Sequence, residues 1–373
     1  MKNVSVLIVG LGRVGARALD LLSLIPRVGA IIAADTRKDY GRRRVNLTVA
    51  GAIHQGYAPK ISFIPMDLND IDGTAHILAN ITPTIVLNAS CMQSWWAPLE
   101  RLPKEARDKI THHGNDFSTQ LVLPYKLMQA IKQAGIQTHV IQGSYADGVN
   151  CVLSKVGLTP TIGIGNIDLV VQILRTIVSE RLDVYPQDIN ISLIMHHSVV
   201  VHILGGDTFS ADMPYFLDIT VGNTNVTKEF DLYALRDEIH NFRPPEPESS
   251  YLVATSAVKN ILAILDDSSL LTHSPGPNGL PGGYPVRLSA QGAEVVLPAS
   301  ITLERAIEIN KAGQFLDGIE AIEEDGTVVY TKESVKGLAE VFGMPQTRFK
   351  VEEAEERAKA FLAGFERATK TTR

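Results

Sequence analysis

The sequence predicts an α/β protein: a doubly wound parallel sheet over residues 1–147, followed by a mixed α+β domain over 148–373. Three observations carry this reading. An apolar run, VSVLIV from Val4 to Val9, runs into Gly10, Gly12 and Gly15 and then into the helical pattern RVGARALDLLSLI. Strand-like and helix-like runs then alternate, which implies parallel strands joined by crossover helices. After Gly148 the alternation gives way to longer helices and β-branched runs.

The first helix rests on Val14, Ala18, Leu21, Leu22 and Ile25, which share one stripe before Pro26 breaks the pattern. The next strand, AIIAAD, closes on Asp35, twenty residues after Gly15. This spacing is the dinucleotide fingerprint of a Rossmann unit. The first glycine permits a tight turn, the second lets backbone N–H groups approach a pyrophosphate, and the third lets helix and strand pack closely. The acidic residue hydrogen-bonds a ribose hydroxyl. The bland alternative is a glycine-rich βα turn that binds nothing.

Further along, RKDYGRRRVNLTVAGAIHQG predicts a helix starting near Arg43, KISFIPMD a third strand, DIDGTAHILANI a helix and PTIVLNAS a fourth strand. A long segment from Cys91 to Asn115 carries Trp95 and Trp96, and QLVLPYKLMQAIKQAG predicts the helix leading to a fifth strand in THVIQGSYADG. In the second part, Val149–Val156 reads as helix, TPTIGIGN as a short strand and turn, and Ile167–Leu182 as a long amphipathic helix. QDINISLIMHHSVVVHIL reads as one continuous strand, and Phe216–Phe230 as further β structure. RPPEPESS is a proline-rich loop before the helix SSYLVATSAVKNILAIL, and VEEAEERAKAFLAGFERA predicts a closing helix.

At 373 residues, 45% hydrophobic and 20% charged, the composition is that of a globular protein too long for one simple core. A formal charge of −6 gives no electrostatic case for nucleic acid or an anionic membrane as partner. Two cysteines, Cys91 and Cys151, form neither a disulfide framework nor a metal-ligand pair, so a reducing cytoplasm is the expected setting. The first strand begins too near the N-terminus for a secretory leader, and no apolar stretch is long enough for a bilayer. His112, His113 and His202 lack the cysteine or carboxylate that would complete a metal set, so no metal is expected.

The expected cofactor is NAD. Gly10, Gly12, Arg13, Val14 and Gly15 form the phosphate turn, and Asp35, Thr36 and Arg37 the ribose end. Asn88, Ala89, Ser90 and Gly143, at the ends of strands four and five, lie along the nicotinamide side. Asp35 repels a 2′-phosphate, whereas Arg37, Arg42, Arg43 and Arg44 could meet one, so NADP stays an alternative.

The order of elements resembles the lactate and malate dehydrogenase superfamily over most of the chain. The resemblance rests on the glycine turn with Asp35, GSYADGVNCVLSK after strand five, and Asp168 followed by ERLDVYPQDINISLIMHH. SSYLVATSAVKNILAIL and NGLPGGYPVRLSAQGAEVVLP match its later parts. It implies a second domain of that superfamily's type, assembly into homodimers or homotetramers, and hydride exchange between nicotinamide and a hydroxyl or keto carbon of a small substrate. By the same resemblance His197 is the acid and base, Asp168 its partner, and Arg101, with Arg107 behind it, the cation of a mobile loop. His196 would point to the opposite face of the strand.

The pattern departs from the superfamily at three points. Val171 stands where an arginine clamps the substrate carboxylate, Ser144 where an asparagine binds substrate, and Asp168 and His197 lie farther apart than is usual. Trp95 and Trp96 add an apolar wall, and Ser249 and Ser250 cap a helix or touch substrate. These features suggest a substrate larger or less charged than lactate or malate. Two other readings remain: a C–N bond dehydrogenase resembling saccharopine and lysine dehydrogenases, and an NAD-binding sensor without turnover, which Val171 favours.

Overall fold

The computed structural model describes residues 5–94, 96–110, 117–205, 212–244 and 248–370. Six parallel strands form the first sheet: β1 (Ser5–Val9), β2 (Ala30–Asp35), β3 (Lys60–Pro65), β4 (Ile85–Asn88), β5 (His139–Gln142) and β6 (Ile162–Gly163). Their order is β3-β2-β1-β4-β5-β6, so the winding reverses between β1 and β4. The strands read as apolar runs because helices cover both faces. In β1 successive side chains enter different cores: Leu7 and Val9 join one, Val6 and Ile8 the other.

The second sheet is antiparallel. It contains β7 (Ile189–Met195), β8 (Tyr215–Val221), β9 (Thr224–Asn225), β10 (Leu270–Pro275), β11 (Gly283–Ser289) and β12 (Gly292–Val295). Its order is β10-β11-β7-β8-β9, with β12 paired to β11. A third small antiparallel sheet joins β13 (Ile319–Ile322), β14 (Val328–Tyr330) and β15 (Arg348–Phe349). The helix Ile167–Leu182 forms over the span its periodicity predicts and packs its apolar stripe on β7.

Two expectations are corrected. The helix after β2 spans Lys38–His54 and so begins before Arg43; Asp39 in its first turn suits the positive end of the helix dipole. The predicted continuous strand through QDINISLIMHHSVVVHIL stops at Met195, and His197–Gly205 is a helix. Val199, Val200, Ile203 and Leu204 of that helix are all buried, and a short run apolar on every side has no periodicity to separate helix from strand. His196 and His197 therefore do not alternate across a pleat.

The C-terminal segment completes the core over one face of the parallel sheet. Tyr330, Phe342, Phe361 and Phe365 pack in the same cluster as Leu7, Val9, Leu121 and Leu127. On the opposite face the helix Ser250–Leu265 brings Ala257 and Ile261 against Leu19 and Leu22 of the helix Arg13–Ser23. Phe361 is fully buried and packs tilted against Phe342, with ring centroids 4.7 Å apart. Phe361→Ala is expected to cost about 3–5 kcal/mol in denaturant unfolding, a loss felt by the parallel sheet as well. A loss below about 1 kcal/mol would mean that the closing helix docks without sharing that core.

Candidate active site

A cavity of about 610 Å3 opens at the carboxyl ends of the parallel strands, where the winding of the sheet reverses. Open α/β sheets bind ligands there because the strand ends and helix N-termini converge on one crevice. Gly10 and Gly12 follow β1, Asp35 closes β2 with Arg37 just beyond it, and Met66 and Asp67 follow β3. Ala89 and Ser90 follow β4, Ser144 and Tyr145 follow β5, and Asn166 follows β6.

The three glycines differ in what they need. Gly10 has φ +91°, a conformation costly for other residues, and an added Cβ would lie 3.0 Å from the Ala89 carbonyl. A Cβ on Gly15 would lie 1.9 Å from the Gly10 oxygen, so this glycine is required for helix–strand packing. Gly12 has φ −76°, and a Cβ there would meet nothing within 4 Å. The fold makes no demand for glycine at that position. It lines the cleft at the N-cap of a helix with no acidic residue in its first turn. Open space above helical N–H groups is a cradle of the kind a diphosphate fills.

Asp35 is buried, and its carboxylate accepts the Leu11 N–H at 2.8 Å and the Arg37 N–H at 2.9 Å. The Arg37 guanidinium lies on both carboxylate oxygens and over the Tyr40 ring. Burial opposes ionisation of Asp35, but these hydrogen bonds outweigh it and hold the carboxyl below 3.8. Arg13, Val14 and Thr36 line the cleft, with Arg13 stacked 4.0 Å over Trp96. Arg44 is instead taken up by Asp20 and Thr48. Ala89, Ser90 and Gly143 line the cleft. Asn88 is buried beneath, where it donates to Gln142 and accepts from the Ser90 N–H and hydroxyl, so it shapes the turn.

At the inner end two non-glycine residues have positive φ: Tyr145 at +42° and Asn166 at +51° with ψ −117°. Backbone strain of this kind persists where surrounding contacts enforce it. The Tyr145 hydroxyl donates to Asp317 Oδ2, and His196 Nδ1 and His197 Nδ1 each lie 3.4 Å from that oxygen. Asp147 accepts the His197 backbone N–H at 3.1 Å through one oxygen and the Asn166 amide through the other. The Tyr145 ring stands edge-on to His197, with centroids 4.9 Å apart. Burial pulls the His197 pKa down, yet the Asp317 hydrogen bond and charge, then Asp147, raise it above 6.5. Burial and Asp317 push the Tyr145 hydroxyl well above 10.

The expected pairing of Asp168 with His197 is not formed. Asp168 is buried against Lys259 at 2.7 Å and Gln172 at 3.2 Å, and its carboxyl is lowered by Lys259 despite burial. As the second residue of its helix it faces β10 and the helix Ser250–Leu265, while His197 opens a helix of its own. Arg101 also misses the cleft. Its guanidinium lies 4.9 Å over Phe365, whose aromatic face holds it on the outer side. Val171 is fully buried in the apolar core between its helix and β7.

Ser144 lines the cleft and donates to Gln120 Oε1 at 2.8 Å, and Ser250 lines it while accepting from Arg17. Ser249 is buried at the N-cap of its helix and makes no side-chain capping bond. Trp95, His112 and His113 lie outside the described residues. Burial raises the thiols of Cys91 and Cys151 to about 11 each, which leaves both inert. Among the described residues no group of three or more histidine, cysteine or acidic side chains is arranged for a metal, and no helix is long and apolar enough to cross a membrane. Tyr145, Asp147, Asn166 and Asp317 escaped the sequence reading, although Tyr145 and Asp147 lie within the polar turn GSYADG.

No protein-family profile and no curated protein sequence matches the chain. Solved structures do. A lactate dehydrogenase from a Medee basin deep-sea metagenome library superposes with a TM-score of 0.59 at 15% identity, covering 85% of this chain and 98% of that one. The Cryptosporidium parvum lactate dehydrogenase, solved with lactic acid and NAD, gives 0.57 at 16% identity over 85% of this chain and 99% of its own. The Plasmodium falciparum malate dehydrogenase gives 0.59 at 14% identity over 84% and 98%. The protein is thus a doubly wound α/β protein with a cleft at its switch point. Its fold is that of the lactate and malate dehydrogenases.

The glycine geometry separates folding from ligand binding. Gly15→Ala is expected to destabilise the protein by about 2 kcal/mol or more, because the new methyl overlaps backbone. Gly12→Ala should leave the unfolding midpoint unchanged while weakening NAD at least about tenfold in calorimetric titration, since the methyl enters the space a diphosphate needs. Unchanged NAD binding in Gly12→Ala would remove the phosphate cradle from this position.

Proposed function

We propose that the protein is an NAD-dependent oxidoreductase acting on a hydroxyl or keto carbon of a small organic substrate. One observation carries this reading: a single cleft joins the glycine cradle and Asp35 to a buried histidine held by a carboxylate. Gly10, Gly12 and the first turn of the helix Arg13–Ser23 hold the diphosphate, and Asp35 receives the adenosine ribose. A 2′-phosphate would meet the Asp35 carboxylate, which favours NAD over NADP.

When bound, the nicotinamide supplies the hydride acceptor or donor. The residues of the chain manage the accompanying proton. His197 takes it from the substrate hydroxyl during oxidation and returns it during reduction, while Asp317 holds the ring through Nδ1 and stabilises its charged form. Asp317 thus fills the role the superfamily resemblance gave to Asp168. The Tyr145 hydroxyl keeps the Asp317 carboxylate in place, and the Asp147 contact to the His197 backbone fixes where its helix begins. Asp168 serves stability, pairing with Lys259 between the helix Ile167–Leu182 and β10. Exposed Leu47 and Ile53 on the helix Lys38–His54 support assembly of copies through that helix, and the two inert cysteines suit a reducing compartment.

His197→Asn should lower kcat by about 100-fold or more while NAD affinity is kept. An unchanged rate would reject His197 as the base. For the oxidation direction kcat/KM should rise with pH through a midpoint above 6.5, because the base must lose its proton and Asp317 holds that proton on. Asp317→Asn should lower the rate and move the midpoint downward. Asp168→Asn should instead lower the unfolding midpoint and leave the pH profile where it was.

A further inference from the structure

We propose that the inner end of the cleft selects an uncharged, hydroxyl-bearing substrate of the polyol or hydroxyketone class, in preference to a 2-hydroxy carboxylate or an amino compound. The inference rests on the oxidoreductase reading above and adds the substrate class.

A carboxylate substrate needs a fixed cation, best a guanidinium that meets both oxygens. Among the described residues lining the cleft, the only arginines or lysines are Arg13 and Arg37. Both belong to the phosphate and ribose end, and both are engaged, Arg13 over Trp96 and Arg37 on Asp35. The internal positions outside the described residues are Trp95, THHGND (111–116), GDTFSA (206–211) and PEP (245–247), and they contain no lysine or arginine. Arg101 is held on Phe365, and the residue at the superfamily's clamp position, Val171, is sealed in the core.

The charges already present at the inner end are matched among themselves. Asp317 Oδ2 serves the Tyr145 hydroxyl and faces His196 and His197, and Asp147 serves the His197 N–H and the Asn166 amide. Any positive charge on the imidazoles is met by these two carboxylates, so a substrate anion finds no unbalanced cation. An ammonium would in turn compete for carboxylates that already have donors. Burying either ion without a partner is costly.

The remaining polar lining at the inner end is neutral. Asn166, Gln120, Ser144 and Ser334 offer amides and hydroxyls, and the Tyr330 and Phe117 rings border them. Amide and hydroxyl groups interleaved with aromatic faces complement a chain of hydroxyls with C–H surface between them.

The test uses the intact protein loaded with NADH. Erythrulose, oxamate and alanine are titrated against NADH fluorescence, and turnover is measured with tetritols to hexitols, 2-hydroxy acids and amino acids. The expected result is a ternary complex with the uncharged ketone, and kcat/KM about 100-fold or more higher for a polyol or hydroxyketone than for a 2-hydroxy acid of equal length. Tighter binding of oxamate, or faster turnover of a 2-hydroxy acid or amino acid, would overturn the substrate class and leave the oxidoreductase reading standing. Bound NADH with neither a ternary complex nor turnover in any class would overturn both.

Discussion

The candidate site depends on one buried carboxylate. Asp317 sits between the helix Leu303–Leu316 and β13, its side chain fully out of solvent, yet its direct partners come from the ends of β5 and β7. A buried carboxylate is tolerated only where donors replace the lost water. The Tyr145 hydroxyl and the facing imidazoles do so, and in doing so they join the parallel sheet, the second sheet and the C-terminal segment at one atom. The same bond explains the Tyr145 backbone. A tyrosine at φ +42° carries strain of about 1–3 kcal/mol, and the hydroxyl bond to Asp317 together with the Phe117 ring 5.4 Å away holds it there.

The C-terminal segment therefore has two duties. It completes a core, through Phe342, Phe361 and Phe365, and it walls the inner cleft, through Asp317, Tyr330, Ser334 and Leu338. A wall that is also a core is rigid, because core packing tolerates little displacement. The structural match to lactate and malate dehydrogenases covers about 85% of this chain, so the likeness fixes the frame and leaves the site to be argued from this chain's own side chains.

The parallel sheet was legible because its signals are local. Apolar runs bounded by turns marked β1 to β5, the fingerprint spacing placed Gly10 to Asp35, and the stripe over Ile167–Leu182 gave that helix its limits. The inner site was not legible for an equally physical reason. His197 and Asp317 are 120 residues apart, and nothing in the run around Asp317 marks it as a partner. The resemblance supplied Asp168 instead, but a carboxylate pairs with whatever its helix phase faces, and here that is Lys259. The resemblance likewise offered Arg101 as the loop cation, and the aromatic face of Phe365 is what it meets. The run VVVHIL, apolar in every direction, held no period from which helix could be told.

The electrostatics of the cleft set its titratable groups apart. At the inner end the Tyr145 hydroxyl is pushed well above 10 by burial and Asp317, so near neutrality it stays protonated and acts as a donor. The Cys91 thiol, raised to about 11, also keeps its proton. Asp35 is held below 3.8 and stays charged at the end of β2. His197 is different because its two influences oppose one another. Burial favours the neutral ring and Asp317 the charged one, and Asp317 prevails, so the His197 pKa lies above its ordinary value. Asp317 thus acts on both groups: it holds the Tyr145 proton as a donor and favours the charged form of the His197 ring.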